Sequence, residues 1–288
     1  MKNISLIVGD TCDLPQKIIQ EKQMVVVPYI INWEEGLKIN GENIYEKMRR
    51  SETLPKTSQP SPLVFKNVFE KELAKANEVF CITLSSKLSG GYNCACLAKK
   101  MLPLDDQKRI WIFDSYHVAG SEGLLNLRAA KLIQEGKTAK EIEDDLIKNI
   151  PEIYLIGMIE DPKWLEGGGR ISSTLASLIR QMAKVGFRPV LGIKEGEVKP
   201  IALKMKAKNI PEAIFKHFEK KTKAILQPKR RIQAAISYTD KNDEAQKLKE
   251  LLENSEGVEI IFENILNNVI GCHVGPGSLL LSWREIQS

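Results

Sequence analysis

The sequence has few of the residues that usually mark a metal centre or a disulfide framework. It contains three histidines and five cysteines, and no two cysteines show the C-x-x-C spacing. No second histidine or cysteine lies at ligand spacing from His273, so we expect no bound metal. An odd number of unpaired cysteines is typical of reduced thiols, which favours a cytoplasmic protein over a secreted one.

Long hydrophobic runs are also missing. No stretch of the sequence approaches the roughly 18 apolar residues that a membrane-spanning helix needs. The first residues, MKNISLIVGDTCDLP, hold too short an apolar run for a signal peptide. We therefore expect a soluble protein without stable membrane insertion. The formal net charge of +5 is a mild excess that does not require nucleic acid as a partner.

Two catalytic motifs are absent from the loop best suited to them. The segment LSSKLSGGYNCA (84–95) lacks the Gly-Lys-Ser/Thr ending of a P-loop and the G-x-S-x-G pattern of a nucleophile elbow. A basic stretch from Lys204 to Arg231 has only two interleaved aromatic residues, Phe215 and Phe218, so we expect no nucleic acid partner. For this stretch, a solvated helix face and a docking surface for an acidic protein both stay open.

The pattern of apolar runs predicts an α/β protein of two domains. In the first half, strands are expected at 4–10, 24–33, 79–84 and 109–114, with helices starting near Asp13 and at 61–76, 88–101, 119–135 and 138–148. This alternation predicts a mostly parallel sheet with flanking helices. In the second half, strands are expected at 153–159, 188–193, 231–238, 258–263 and 278–283, with helices at 172–185, 209–224 and 240–254. Their spacing favours a mixed sheet, and we place the domains at 1–155 and 156–288.

Two hydroxyl-rich loops are candidate anion sites. KTSQPSP (56–62) brings Thr57 and Ser58 just ahead of a helix start, where free backbone amides can hold an anion. LSSKLSGGYNCA places Ser89 and Gly90 between a strand and a helix, which is how α/β sheets build ligand crevices. Ordinary turn and helix-cap chemistry explains either loop equally simply.

Arg170 and His273 are the other candidates. Arg170 follows three glycines in WLEGGGRISS (164–173), which could form an anion nest or a hinge. His273 lies ahead of a Gly-Pro-Gly turn, and Gly271, Gly275 and Gly277 leave its surroundings bare enough for a ligand to reach it. It could also be a structural histidine. A catalytic triad of Ser89 and His273 is a further alternative that no oxyanion motif supports.

Six segments, in this order, resemble the DegV family of bacterial fatty-acid-binding proteins. They are GDTCDLP (9–15), KTSQPSP, LSSKLSGGYNCA, IFDSYHVAGSEGLLNLRAA (112–130), LEGGGRIS (165–172) and HVGPG (273–277). The resemblance spans nearly the whole chain. It departs from the family at Gly91, where threonine is common, and at Thr11, where serine is usual.

The resemblance implies two α/β domains with a lipid tunnel between them. A long-chain fatty acid would lie in this tunnel, with its carboxylate held by Thr57, Ser89 and His273, and with Ser58 and the Gly90 amide as further contacts. The chain would be a carrier without cofactors that presents its ligand to a separate fatty acid kinase. The residues that would then form a tunnel lid or contact the partner are Arg170, Lys204 and Lys206.

Three other functions stay open. Ser89 could make the chain an esterase, or the chain could be a phosphotransferase related to the family's distant kinase relatives. The phosphotransferase would need a nucleotide site, for which the sequence shows no motif. The chain could also be a regulatory protein whose bound lipid acts as a signal.

Overall fold

The computed structural model describes residues 3–33, 44–205, 209–223 and 230–287. Its strands are β1 (Ile4–Gly9), β2 (Val25–Val27), β3 (Ile30–Asn32), β4 (Lys56–Ser58), β5 (Glu78–Thr83), β6 (Ile110–Asp114), β7 (Ile153–Met158), β8 (Phe187–Lys194), β9 (Glu197–Met205), β10 (Arg230–Tyr238), β11 (Val258–Ile265) and β12 (Leu279–Gln287). Its helices are α1 (Gln16–Glu21), α2 (Ile44–Arg50), α3 (Pro62–Leu73), α4 (Gly91–Lys100), α5 (Leu104–Gln107), α6 (Ala119–Gln134), α7 (Ala139–Asn149), α8 (Lys163–Gly167), α9 (Ser173–Lys184), α10 (Ile210–Thr222), α11 (Asn242–Glu253) and α12 (Asn268–Val274).

These elements group into two compact units. The first unit comprises Met1–Ile30, Ser58–Glu152 and Glu195–Glu197. The second comprises Ile31–Thr57, Ile153–Lys194 and Val198–Ser288. The segment Ile31–Thr57, which carries α2 and most of β3 and β4, thus groups with elements that begin only at Ile153.

The first unit is built on a parallel sheet. Its strand order is β2-β1-β5-β6, and every pairing is parallel. β1 reads ISLIVG and is buried along nearly its whole length, as expected for a parallel strand covered by helices on both faces. The chain leaves β1 towards one edge and β5 towards the other, so the carboxyl ends of these two strands form a topological switch point.

Two helices of the first unit, α3 and α7, begin where the sequence predicts. α3 starts after Ser61, whose hydroxyl accepts a hydrogen bond from the backbone N–H of Val64, and Pro62 occupies its first position. α7 starts with the predicted capping box between Thr138 and Glu141. α3 and α4 pack their apolar faces on the sheet, with Phe69 among the residues fully buried there.

The second unit is built on a mixed sheet, as predicted. Its strand order is β11-β10-β12-β7-β8-β9. β10 and β11 are parallel, whereas β12 is antiparallel to both β10 and β7. Trp283 of β12 anchors the core, because it stacks on Tyr154 and meets Phe218 of α10 edge to face, with ring centroids 5.2 and 5.3 Å apart. The α/β fold class, with a parallel first sheet and a mixed second sheet, is therefore confirmed.

Several elements differ from the prediction. The run at 24–33 is not one strand, because Pro28 has no amide to donate and separates β2 from β3. Asp13 does not cap α1; it takes a left-handed conformation at φ 55° and Pro15 occupies the N-cap. The short helices α2, α8 and α12 were not predicted, since each has only a turn or two of periodic sequence.

Candidate functional site

A threonine and a histidine form the centre of the candidate site in the second unit. Thr57 lies in β4, and His273 lies in the last turn of α12. Thr57 Oγ1 and His273 Nε2 are 2.6 Å apart, which is a short hydrogen bond between side chains 216 residues apart in sequence. The structure thus brings two of the candidate site residues into direct contact within the second unit.

The glycines around His273 do not leave it bare. A β-carbon at Gly168, at the end of α8, would collide with Nδ1 of the imidazole. Gly275 is similarly pressed against Trp164, and Gly271 against the hydroxyl of Tyr45. The imidazole is only 7% exposed. These glycines allow close packing, and Gly275 also adopts a φ of 80° that other residues rarely take.

Burial and a nearby cation keep His273 neutral. Its pKa is lowered to about 3, first by burial and then by the positive charge of Arg170. Nδ1 of the ring has no hydrogen-bond partner among the described residues. Because one nitrogen pairs with Thr57 and the other is unpaired, the side chain can exchange its tautomer without breaking a second hydrogen bond.

Arg170 is a half-buried cation near this pair. Its guanidinium donates to the carbonyl oxygen of Gly168, and burial lowers its pKa. Within the part of the chain that the structure describes, no carboxylate forms an ion pair with Arg170. A cation taken partly out of water without a counter-ion favours the binding of an anion.

Ser89 and Gly90 belong to the first unit. They follow β5 and precede α4, at the carboxyl edge of the parallel sheet. The Gly91 amide donates to Ser89 Oγ over 3.3 Å, so the serine hydroxyl keeps its proton for another acceptor. Gly90 itself supplies no side-chain cap, so apart from the Gly91 amide the start of α4 offers backbone amides and the positive end of the helix dipole.

The departure at Gly91 has a physical reason. A β-carbon at this position would collide with the hydroxyl of Tyr29. The Tyr29 side chain is buried, so it has little room to move away. Threonine is therefore excluded at position 91 as long as tyrosine stands at position 29.

Sequence reasoning missed a buried polar cluster in the first unit. Glu122 of α6 is 0% exposed, and the Thr11 hydroxyl donates to its Oε2 over 3.0 Å. Burial raises the pKa of Glu122 well above its usual value, and the nearby Asp13 and Asp10 raise it further. Asn126, one turn along α6, is also fully buried. One feature of the sequence could have revealed this cluster: Glu122 stands between two glycines in a helix start whose other residues are small or apolar.

The remaining predicted residues are less informative. Ser58 ends β4 and is half-buried. Lys204 lies in β9, whereas Lys206 lies outside the described residues. Over residues 3–33, 44–205, 209–223 and 230–287, no group of His, Cys, Asp and Glu side chains could hold a metal ion. None of the helices in these ranges is long and apolar enough to cross a membrane.

The fold and the two loops define an α/β protein whose parallel sheet carries a serine-glycine loop and whose mixed sheet carries a buried Thr–His pair. The family model described as "Uncharacterised protein, DegV family" matches residues 3–285. This chain therefore belongs to the DegV family, as its six motifs predicted.

A curated relative and two solved structures match this chain over nearly its whole length. A DegV domain-containing protein of Caldanaerobacter subterraneus is 30% identical over 290 residues, which is 99% of this chain and 100% of the relative. The structure "Fatty Acid Binding of a DegV family Protein from Thermus thermophilus" is 28% identical, with a TM-score of 0.85 over 99% of this chain and 100% of that one. The structure of DegV from Bacillus subtilis, described as a fatty acid binding protein, is 23% identical, with a TM-score of 0.81 over 99% of both chains.

Proposed function

We propose that this chain is a carrier that binds a long-chain fatty acid, with the carboxylate held by Thr57, Ser89 and His273. The observation that carries the proposal is the short Thr57–His273 hydrogen bond near Arg170, a cation without an ion-pair partner among the described residues. The Thermus thermophilus relative, whose structure is described as binding fatty acid, suggests the class of anion.

An anionic ligand determines where the protons of the Thr57–His273 pair lie. A carboxylate only accepts hydrogen bonds, so Thr57 gives it the hydroxyl proton. The threonine oxygen then accepts from Nε2 of His273, which carries the single ring proton of a neutral imidazole. Thr57 and His273 thus act together as one donor, because the imidazole orients the threonine hydroxyl. Arg170 supplies the positive charge that compensates the charge of the carboxylate.

Ser89 is the proposed donor of the first unit. Its oxygen already accepts from the Gly91 amide, which orients the hydroxyl proton outwards. The free amides at the start of α4, including that of Gly90, favour negative charge at the same position. Ser58 adds a hydroxyl next to Thr57. Together these donors offset the desolvation of the carboxylate, which would otherwise be very costly.

The acyl chain is proposed to lie in a tunnel between the two domains. Each methylene removed from water contributes roughly 0.8 kcal/mol, so a tail of about 14 to 18 carbons gives ample affinity. No cofactor is needed for such a carrier. We place it in the cytoplasm, because all five cysteines are free thiols.

The proposed partner is a separate fatty acid kinase, which would phosphorylate the bound carboxyl group. This part rests on the resemblance to the family. Arg170 and the basic residues Lys204 and Lys206 are the candidate contacts. Reversing the charge of both lysines should lower phosphorylation by the kinase and leave palmitate affinity unchanged. An equal fall in affinity would exclude a docking role for them.

The binding experiment is a titration of delipidated protein with palmitate, for the wild-type chain and for Ser89→Ala. We expect weaker binding by the variant and no hydrolysis of a palmitoyl ester by either protein. Ester turnover that is lost in Ser89→Ala would instead identify an esterase. Binding of nucleotide and magnesium by the chain alone would identify a phosphotransferase, and a lipid-dependent change of protein partner a regulatory protein.

A further inference from the structure

The Tyr29 hydroxyl is a buried donor that none of the described residues satisfies. Tyr29 lies between β2 and β3, immediately after Pro28, and is only 9% exposed. Its backbone N–H donates to Asp10 Oδ1 over 3.1 Å, which fixes the chain beside the end of β1. Its hydroxyl has no hydrogen-bond partner in the ranges that the structure describes. Buried polar groups in folded proteins are nearly always paired, so this hydroxyl requires an explanation.

The hydroxyl points at the first turn of α4. The space that a β-carbon would fill at Gly91 is the space that the Tyr29 oxygen occupies. The Ser89 hydroxyl, two residues earlier, is within hydrogen-bonding reach of the Tyr29 hydroxyl and lowers its pKa, against the larger effect of burial. The tyrosine oxygen therefore lies against Gly91 at the start of α4, beside the serine proposed to contact the ligand.

The aromatic ring of Tyr29 packs against a second glycine, Gly9. A β-carbon at Gly9 would be 3.2 Å from Cε2 of Tyr29. The aromatic ring is thus confined between Gly9 at the end of β1 and Gly91 at the start of α4. The Tyr29 side chain fits because both neighbouring positions, Gly9 and Gly91, lack a side chain. A phenylalanine at position 29 would fill the same volume without the oxygen.

The hydroxyl remains protonated. Burial raises its pKa well above the usual value, and the neighbouring Glu122 raises it further. Tyr29 can therefore donate a hydrogen bond at any physiological pH. An anionic acceptor is the partner that would satisfy such a donor best.

We propose that Tyr29 is a specificity-determining residue that donates its hydroxyl proton to the ligand carboxylate, and so selects an ionised fatty acid over an uncharged lipid of the same length. This inference rests on the proposed function, because it assigns Tyr29 to the same head-group site as Ser89. A carboxylate has two oxygens and about four lone-pair sites, so it can accept from Tyr29 as well as from the threonine and serine hydroxyls.

The first test compares Tyr29→Phe with the wild-type chain, using delipidated full-length protein and two ligands, palmitate and 1-hexadecanol. We expect palmitate affinity to fall roughly tenfold or more and 1-hexadecanol affinity to change less than about twofold, because hydrogen bonds to charged groups are the stronger ones. Tyr154→Phe is the matched control, since Tyr154 lies on β7 and stacks on Trp283. This control should leave both affinities unchanged.

A spectroscopic readout separates ligand contact from packing. With palmitate labelled with ¹³C at its carboxyl carbon, the pH titration of the bound ligand reports the pKa of its carboxyl group. Donors to the ionised form lower that pKa, so it should be higher in Tyr29→Phe than in the wild-type chain. An unchanged ligand pKa, or equal losses for palmitate and 1-hexadecanol, would overturn the proposal.

A second pair of variants tests the geometry without any ligand. Gly91→Ala should lower the melting temperature of the wild-type chain, because its β-carbon meets the Tyr29 oxygen. In the Tyr29→Phe background the same change should cost less, since the oxygen is gone. Equal losses in both backgrounds would refute the contact. A wild-type chain that binds neither ligand would refute the proposed function, while this geometric result would still stand.

Discussion

Thr57 Oγ1 and His273 Nε2 are 2.6 Å apart, so the threonine hydroxyl pairs with one nitrogen of a buried imidazole within the second unit. The two residues come from β4 and α12, which are far apart in sequence. Their contact links the hydroxyl that the ligand would meet to the imidazole that orients it.

Thr57→Val tests this pair. The substitution keeps the shape of the side chain, removes the hydroxyl and leaves a buried ring nitrogen unpaired. We expect palmitate affinity to fall roughly tenfold and stability to fall by about 1–3 kcal/mol. Isothermal titration and urea unfolding measure the two effects. Thr57→Ser is the control that should retain both, and wild-type affinity in Thr57→Val would remove Thr57 from the site.

His273 should make the protein less stable in acid. Its pKa is lowered to about 3 from the usual 6.5, so below about pH 6.5 the unfolded chain takes up a proton that the folded chain refuses. The free energy of unfolding should therefore decrease from about pH 6.5 down to about pH 3. In urea titrations at several pH values, the free energy of unfolding of His273→Gln should decrease less over this range than that of the wild-type chain.

His117 provides the comparison for that experiment. Burial lowers its pKa to about 4, and its Nε2 lies 3.0 Å from the Ile150 carbonyl oxygen in the first unit. His117→Gln should also flatten the acid dependence of stability, but it should leave palmitate affinity unchanged. If His273→Gln left the acid dependence unaltered, His273 would have an ordinary pKa and our account of its neutrality would be wrong.

Glu122→Gln should reduce the loss of stability that the wild-type chain shows as pH rises above about 4.3. Because the folded pKa of Glu122 is raised, its contribution to stability is complete below the unfolded pKa of about 4.3 and is lost as pH rises towards the folded value. The stability of Glu122→Gln relative to the wild-type chain should therefore increase from pH 5 to pH 8. The exposed Glu256→Gln is the control. A difference that does not vary with pH would show that Glu122 is ionised in the folded protein.

Arg170→Gln should weaken anion binding selectively. The guanidinium has no ion-pair partner among the described residues, so its charge is available to the ligand. Palmitate affinity should fall, most strongly at low ionic strength, while 1-hexadecanol affinity stays the same. The pKa of His273 should rise in the same variant, as followed by NMR, because Arg170 contributes to lowering it. Equal losses for both lipids would assign Arg170 a purely structural role.

The sequence predicts the sheets better than the site. Strand β1 is an almost continuous apolar run and helix α7 carries a capping box, so local patterns are sufficient to place them. Pro28 shows the limit of this approach, because the run at 24–33 is almost entirely apolar, yet the missing amide of Pro28 divides it into two strands.

The site depends on contacts that no local pattern encodes. The hydroxyls of Thr57 and Ser89 could be selected from their loops, but the pairing of Thr57 with His273 spans 216 residues. Gly91 reads as a flexible loop residue in the sequence, whereas its role is to make room for Tyr29. Such matched pairs become visible only when the packed structure is known.

The most direct test of the central claim is mass spectrometry of the purified protein, first under native conditions and then after solvent extraction. The account predicts one fatty acid of about 14 to 18 carbons per chain, in keeping with the contribution of each buried methylene. It also predicts less bound lipid in Thr57→Val. A chain that carries no lipid and takes up none when palmitate is added would contradict the account.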